Sequence, residues 1–216
     1  MENNKKTIFV YVVEGYNNYT SFLSAKFNVS IVHDIQKANI VLFPGGADVT
    51  PMLYKCAPHR TTVSDSVSDR NFLEAFREVK HNDNILKLGI CKGSQFLCAM
   101  SGGRLVQNIS GHALMGYHDI KTIDNKVLEI TSTHHQMAYP YNMPVDNYKI
   151  IAWATPARSN YYEGANIFWN HNIYEEPEIV FYPKINSLGI QGHPENMDVN
   201  SETVTYLCEL INIYLK

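Results

Sequence analysis

Apolar positions in the first half of the chain fall into runs of two kinds that alternate. TIFVYVV (7–13) is an unbroken β-branched and aromatic run, the pattern of a buried strand. VSIVHDI (29–35) and ANIVLFPGG (38–46) predict two more strands, the second running into a Pro-Gly-Gly turn. SDRNFLEAFREVKH (68–81) has apolar residues at 72, 73, 76 and 79, a helical spacing, with Ser68 or Asp69 placed to cap it. ILKLGI (85–90) predicts another short buried strand, and KGSQFLCAMSGG (92–103) a helix closed by Gly102 and Gly103. Strands alternating with helices imply right-handed crossovers and a parallel sheet, with ligands at the strands' C-terminal ends.

The second half changes pattern. HDIKTI, KVLEITST, YKIIAWAT, NIFWN and IVFYP are short alternating runs broken by Asn, Pro and Gly, which predicts antiparallel strands beside or extending the sheet. SLGIQGHPE (187–195) predicts one more strand ending in polar residues. SETVTYLCELINIYL (201–215) predicts a final helix capped by Ser201. No repeat or linker interrupts this order, so a single α/β domain over 1–216 is expected.

Composition narrows the partners. The 216 residues are 45% apolar and carry a net charge of −3, enough for a core and no basis for a polyanion-binding surface. No nucleic acid partner is expected. The N-terminal apolar run is too short for a signal sequence and no run approaches a membrane span, so the expectation is a cytoplasmic protein without a membrane partner. Cys56, Cys91, Cys98 and Cys208 match no metal or disulfide spacing, and a reduced compartment would let an unpaired thiol persist.

Cys91 stands where a strand turns into a helix, with Gly89 and Gly93 on either side: G-I-C-K-G, the thiol form of a nucleophile elbow. The bland alternative is a small buried hydrophobe at a strand end. A helix N-terminus favours a thiolate. A base for it is offered by His193, with Glu195 two residues on and so on the same side of an extended segment. An oxyanion would need N–H donors, and the backbone of Lys92 and the Gly45–Gly46 turn supply candidates.

GICKGSQ, PGGADVTPMLY and GIQGHPE, in that order, resemble the signatures of class I glutamine amidotransferases. STHHQ, RNFLE and SGGRLVQNI are similar to the γ-glutamyl hydrolase branch (peptidase C26), which includes γ-glutamyl-γ-aminobutyrate hydrolases. The likeness spans roughly residues 38 to 200. It implies a flavodoxin-like three-layer sandwich with a mostly parallel sheet and an added antiparallel region. It implies Cys91 as nucleophile, His193 as base, Glu195 as its orienting carboxylate, and Gly46 and Lys92 as oxyanion donors. Gln95 and the segment His134, His135, Gln136 and Met137 would hold the γ-glutamyl group, the segment mainly through its backbone. The implied reaction is hydrolysis of a γ-glutamyl amide through a thioester, with no cofactor and no metal needed. The alternatives are a glutaminase subunit feeding a separate synthetase or ligase, and a non-catalytic binding relative. A second copy of the chain is a further candidate partner.

Some residues depart from the resemblance. Lys92 stands where the branch usually has Arg, Asn71 where it has Asp, and Gly192 where an aromatic residue usually precedes the histidine, which would widen or loosen the wall there. Region 153–177 lacks the branch's D-G-x-I-E-A stretch, so the leaving amine is not readable from it.

Overall fold

A computed structural model describes residues 5–164 and 175–216. Its centre is a nine-stranded sheet. The strands are β1 (Lys6–Val12), β2 (Phe27–Ile31), β3 (Ile40–Phe43), β4 (Leu86–Ile90), β5 (Tyr117–Thr122), β6 (Val127–Thr131), β7 (Lys149–Ala154), β8 (Pro177–Tyr182) and β9 (Ser187–Ile190). Their order across the sheet is β2-β1-β3-β4-β9-β8-β7-β5-β6. The first five in that order pair in parallel. From β9 onward every pairing is antiparallel, so the second half of the chain extends the sheet. The predicted strand at NIFWN lies outside the described residues.

Helices cover both faces, which gives the three layers. α3 (Glu202–Tyr214) and a 3-10 stretch at Asn17–Ala25 pack through Leu207, Ile211, Phe22 and Leu23 on the face formed by Leu42, Leu88 and Ile90. α1 (Ser66–Val79) and α2 (Lys92–Met100) pack through Phe72, Phe76 and Phe96 on the other, against Val41 and Phe43. The pleat sends Leu42 to one core and its two neighbours to the other, as a strand covered on both sides requires. β1 differs from its predicted burial: Ile8, Val10 and Val12 are buried, whereas Phe9 is exposed because little covers that face.

The helical segments also differ from expectation in two places. α1 begins earlier, because Asp65 is the cap: its Oδ1 accepts from the backbone N–H of Val67 and Ser68. Asp69 is thereby released for a buried role. The 3-10 stretch was not predicted, since Phe22 and Leu23 give too short an apolar signal. Among the described residues, no helix is long and apolar enough to cross a membrane.

Candidate active site

The site grows from the junction of β4 and α2. Cys91 links them with φ 50° and ψ −106°, an uncommon conformation for a residue with a side chain. Such strain costs on the order of 1–3 kcal/mol and persists only where its surroundings hold it. Here the Cys91 N–H donates to the Ile190 carbonyl at 2.8 Å, and the Gly93 N–H to the Pro44 carbonyl at 3.1 Å. A Cβ on Gly93 would overlap the Phe43 carbonyl, and one on Gly89 would overlap the Gly93 backbone. Both flanking glycines are therefore required by close backbone approach, which lets the elbow sit tightly between β3 and β9.

His193 follows β9, the strand paired with β4, and this places it across from the thiol. Its backbone N–H donates to Thr131 Oγ1 at 2.6 Å. Its Nδ1 lies 2.7 Å from Glu195 Oε1, on the short 3-10 turn Pro194–Asn196. Burial opposes a charge on His193, but the facing Cys91 thiol and the Glu195 carboxylate outweigh it and raise its pKa to about 10. The other thiols have no such setting. Burial raises Cys98 to about 11 and Cys208 to about 12, and Cys56 is raised by burial as well.

Gly46 and Lys92 face one another, with the Lys92 Cδ 3.3 Å from the place a Cβ on Gly46 would occupy. As the first residue of α2, Lys92 has no intrahelical acceptor for its N–H. Its side chain leaves the site and is buried against α1. Nζ lies 3.1 Å from Asp69 Oδ1, donates to Ser68 Oγ at 2.8 Å, and sits 4.8 Å from the centre of the Phe72 ring. Asp69 Oδ2 in turn accepts from the Thr50 N–H at 2.8 Å. One buried ion pair thus ties the elbow to the 44–50 loop.

The resemblance-derived pocket residues also meet here. Gln95 Nε2 donates to the Gln136 carbonyl at 3.1 Å and to Gln191 Oε1 at 3.2 Å. His135 Nε2 lies 3.0 Å from Asp48 Oδ1, which joins segment 132–136 to the 44–50 loop. The side chains of His134 and Met137 turn inward, His134 towards Glu178 and Met137 into a small cluster with Val106 and Ile109. Beside Gly45, a cavity of about 230 Å³ is lined by Glu14, Tyr16, Tyr19, Gly46 and Asp65. Gly45 also borders His193: a Cβ there would lie 2.8 Å from the imidazole Cε1 and 2.9 Å from the Tyr19 hydroxyl.

Sequence reasoning missed Asp69, Thr131 and Tyr19 as site residues, because they reach the site from separate elements and belong to no local pattern, and it did not single out Asp48 within PGGADVTPMLY. Gly192 also differs from expectation. A Cβ there would overlap the Ile130 side chain and come within 3.0 Å of the Thr131 carbonyl. The wall beside His193 is therefore filled from β6 and is neither widened nor loosened.

A solved glutamine amidotransferase structure shares this fold, a sheet with a parallel half and an antiparallel extension. The Peptidase C26 family matches residues 6–143, and the chain belongs to that family. The match ends before His193 and Glu195, which rest on geometry. A glutamine amidotransferase-like protein of Lactococcus lactis subsp. cremoris is 31% identical over 96 residues, 44% of this chain and 48% of that protein. The chain thus spans about half the length of that curated relative. A PurLQS chain from Thermotoga maritima shares the fold with a TM-score of 0.57 and 19% identity, covering 98% of this chain and 100% of the other. A glutamine amidotransferase of Thermotoga maritima does so with a TM-score of 0.55 and 14% identity, covering 96% and 82%.

Proposed function

We propose that the chain hydrolyses a γ-glutamyl amide by nucleophilic catalysis at Cys91. The observation that carries this reading is the line Glu195–His193–Cys91, built on a strained elbow that only a demanding role would retain. His193 holds the thiol proton, and the sulfur attacks the γ-carbonyl. The oxyanion accepts hydrogen bonds from the N–H groups of Gly46 and Lys92. The C–N bond breaks as His193 gives its proton to the leaving amine, and a γ-glutamyl thioester remains. Water, deprotonated by His193, then attacks the thioester, releases glutamate and restores the thiol. Glu195 keeps the imidazole oriented throughout.

The leaving amine would face the cavity bordered by Gly45 and Tyr19, since His193 must reach its nitrogen. Glu14 and Asp65 on that cavity favour a cationic amine over an anionic one. The test measures glutamate released from glutamine and from γ-glutamyl amides of cationic, neutral and anionic amines. Turnover by the wild type and none by Cys91→Ala is the expected result. No turnover of any amide would overturn the hydrolase reading.

A second reading, a glutaminase that passes ammonia to a separate synthetase or ligase, is favoured by the full-length match to a PurLQS chain. It predicts glutamine as the one good substrate and activity that rises when the partner is added.

A further inference from the structure

Away from the thiol, three histidines converge on one carboxylate. His112, His118 and His134 come from the connection before β5, from β5 itself and from segment 132–136, and Glu178 comes from β8. All four are buried, with side chains at most 2% exposed. Glu178 Oε1 lies 2.9 Å from His118 Nε2, 3.3 Å from His112 Nδ1 and 3.6 Å from His134 Nε2. Four ligand atoms held about 2.0–2.1 Å from a tetrahedral zinc ion are separated by about 3.3 Å. Three ligand atoms, one each from His112, His118 and Glu178, all lie within 4.8 Å of one another, and His134 stands outside that group.

Hydrogen bonding on the far sides of the rings fixes what faces Glu178. His112 Nε2 lies 2.8 Å from Glu176 Oε2. Glu176 also accepts from the Arg158 and Ser159 N–H groups and from the Tyr162 hydroxyl, so it is an acceptor there and His112 Nε2 carries the proton. His134 Nδ1 lies 2.9 Å from the Gln136 carbonyl, which can only accept. In their neutral forms, His112 Nδ1 and His134 Nε2 therefore turn lone pairs towards a carboxylate oxygen. Neither atom has a hydrogen-bond partner among the described residues, and neither does Glu178 Oε2. Burial without satisfaction is costly for such groups. Protonating both rings would place two imidazolium ions with ring centres 4.7 Å apart in a sealed interior. One divalent cation between His112 Nδ1, His118 Nε2 and Glu178 would meet the His112 and Glu178 lone pairs and balance the two carboxylates. A second acceptor on the outer nitrogen of a ligating histidine is also the usual support of such a site.

We propose that His112, His118 and Glu178 form a structural site for one divalent cation of the zinc class, with His134 packed beside it. The cation would join β5 and the connection before it to β8. It takes no part in bond making, and the N₂O donor set, rich in imidazole, favours zinc or cobalt over magnesium or calcium.

The test strips the purified full-length chain with a chelator and titrates it with Zn²⁺, Co²⁺ and Mg²⁺. About one equivalent of Zn²⁺ or Co²⁺ should bind and remain through gel filtration, with a visible absorption band for Co²⁺ and a rise in Tm that saturates at that ratio. Mg²⁺ should do neither. Glu178→Gln and His118→Ala should lose the bound metal. The wild-type titration stands alone should those variants misfold. A stripped wild-type chain that still melts cooperatively and takes up less than about a tenth of an equivalent would overturn the proposal in favour of a proton-balanced cluster. Loss of the fold on stripping with recovery in Zn²⁺ would support it, and loss with no recovery in any metal would overturn it.

Discussion

Glutamate meets histidine in two places in this molecule, and they differ in what they leave open. At His193, one imidazole is held by one carboxylate, its other side faces Cys91, and its side chain is 16% exposed beside a cavity. At Glu178, three imidazoles crowd one carboxylate and nothing reaches solvent. The first arrangement has a thiol in front of it and a cavity beside it at Gly45. The second has neither, so chemistry on a substrate is excluded there while support of the fold is not. Residue types alone do not separate the two; access and the unused lone pairs do.

The sharpest way to break this contrast is to remove the thiol. Cys91→Ala should lower turnover by on the order of 10⁴-fold or more, with an unchanged cooperative melt. Retained activity would mean that the accessible cluster is no more catalytic than the sealed one. Glu195→Gln should follow, with kcat reduced about 10²- to 10⁴-fold, because the imidazole loses its orienting carboxylate. A pH effect accompanies it. The pKa of His193 rises on folding from 6.5 to about 10, so the folded chain binds this proton more tightly than the unfolded one. Its contribution to stability is complete below the ordinary value and is lost as pH rises through about 10. Urea unfolding between these limits should show a stability slope that is shallower in Glu195→Gln than in the wild type. Equal slopes would argue against the assigned pairing.

These two predictions concern what was most readable in the sequence, and the reason is distance along the chain. The elbow is a pentapeptide with a glycine two residues to either side of the thiol, and Glu195 is two residues from His193. Strand pairing then had only to bring β9 beside β4. By contrast, His112, His118 and Glu178 are each unremarkable where they stand, and they come together, with His134 beside them, only through the antiparallel extension of the sheet. The same holds for Lys92. Its position after the nucleophile suggested its backbone N–H, while the side chain's destination depended on α1 starting at Ser66 so that Asp69 faces inward.

That ion pair gives the next prediction. Lys92→Met keeps the N–H at the oxyanion position but strands the Asp69 carboxylate, whose side chain is 5% exposed. A loss of about 3–5 kcal/mol is expected from urea unfolding, since breaking a buried pair leaves an uncompensated charge. Lys92→Arg should recover most of the stability, because a cation can again reach Asp69. A loss below about 1 kcal/mol for Lys92→Met would place the pair with ordinary surface contacts.

The smallest effect is expected beside the histidine itself. Gly192 precedes His193, and the space an aromatic residue would fill is taken by Ile130 from β6, which is fully buried. Gly192→Ala should cost about 1–3 kcal/mol through overpacking. Ile130→Ala alone should also destabilise, by about 2–5 kcal/mol, because it leaves a cavity. Combined, the two should cost less than their sum by at least about 0.5 kcal/mol, since the new methyl enters the vacated space. That coupling would show the wall of the accessible site being held by the strand that carries Thr131, the residue that also anchors the His193 backbone. Strict additivity would separate the two positions and leave the glycine at 192 without a packing reason.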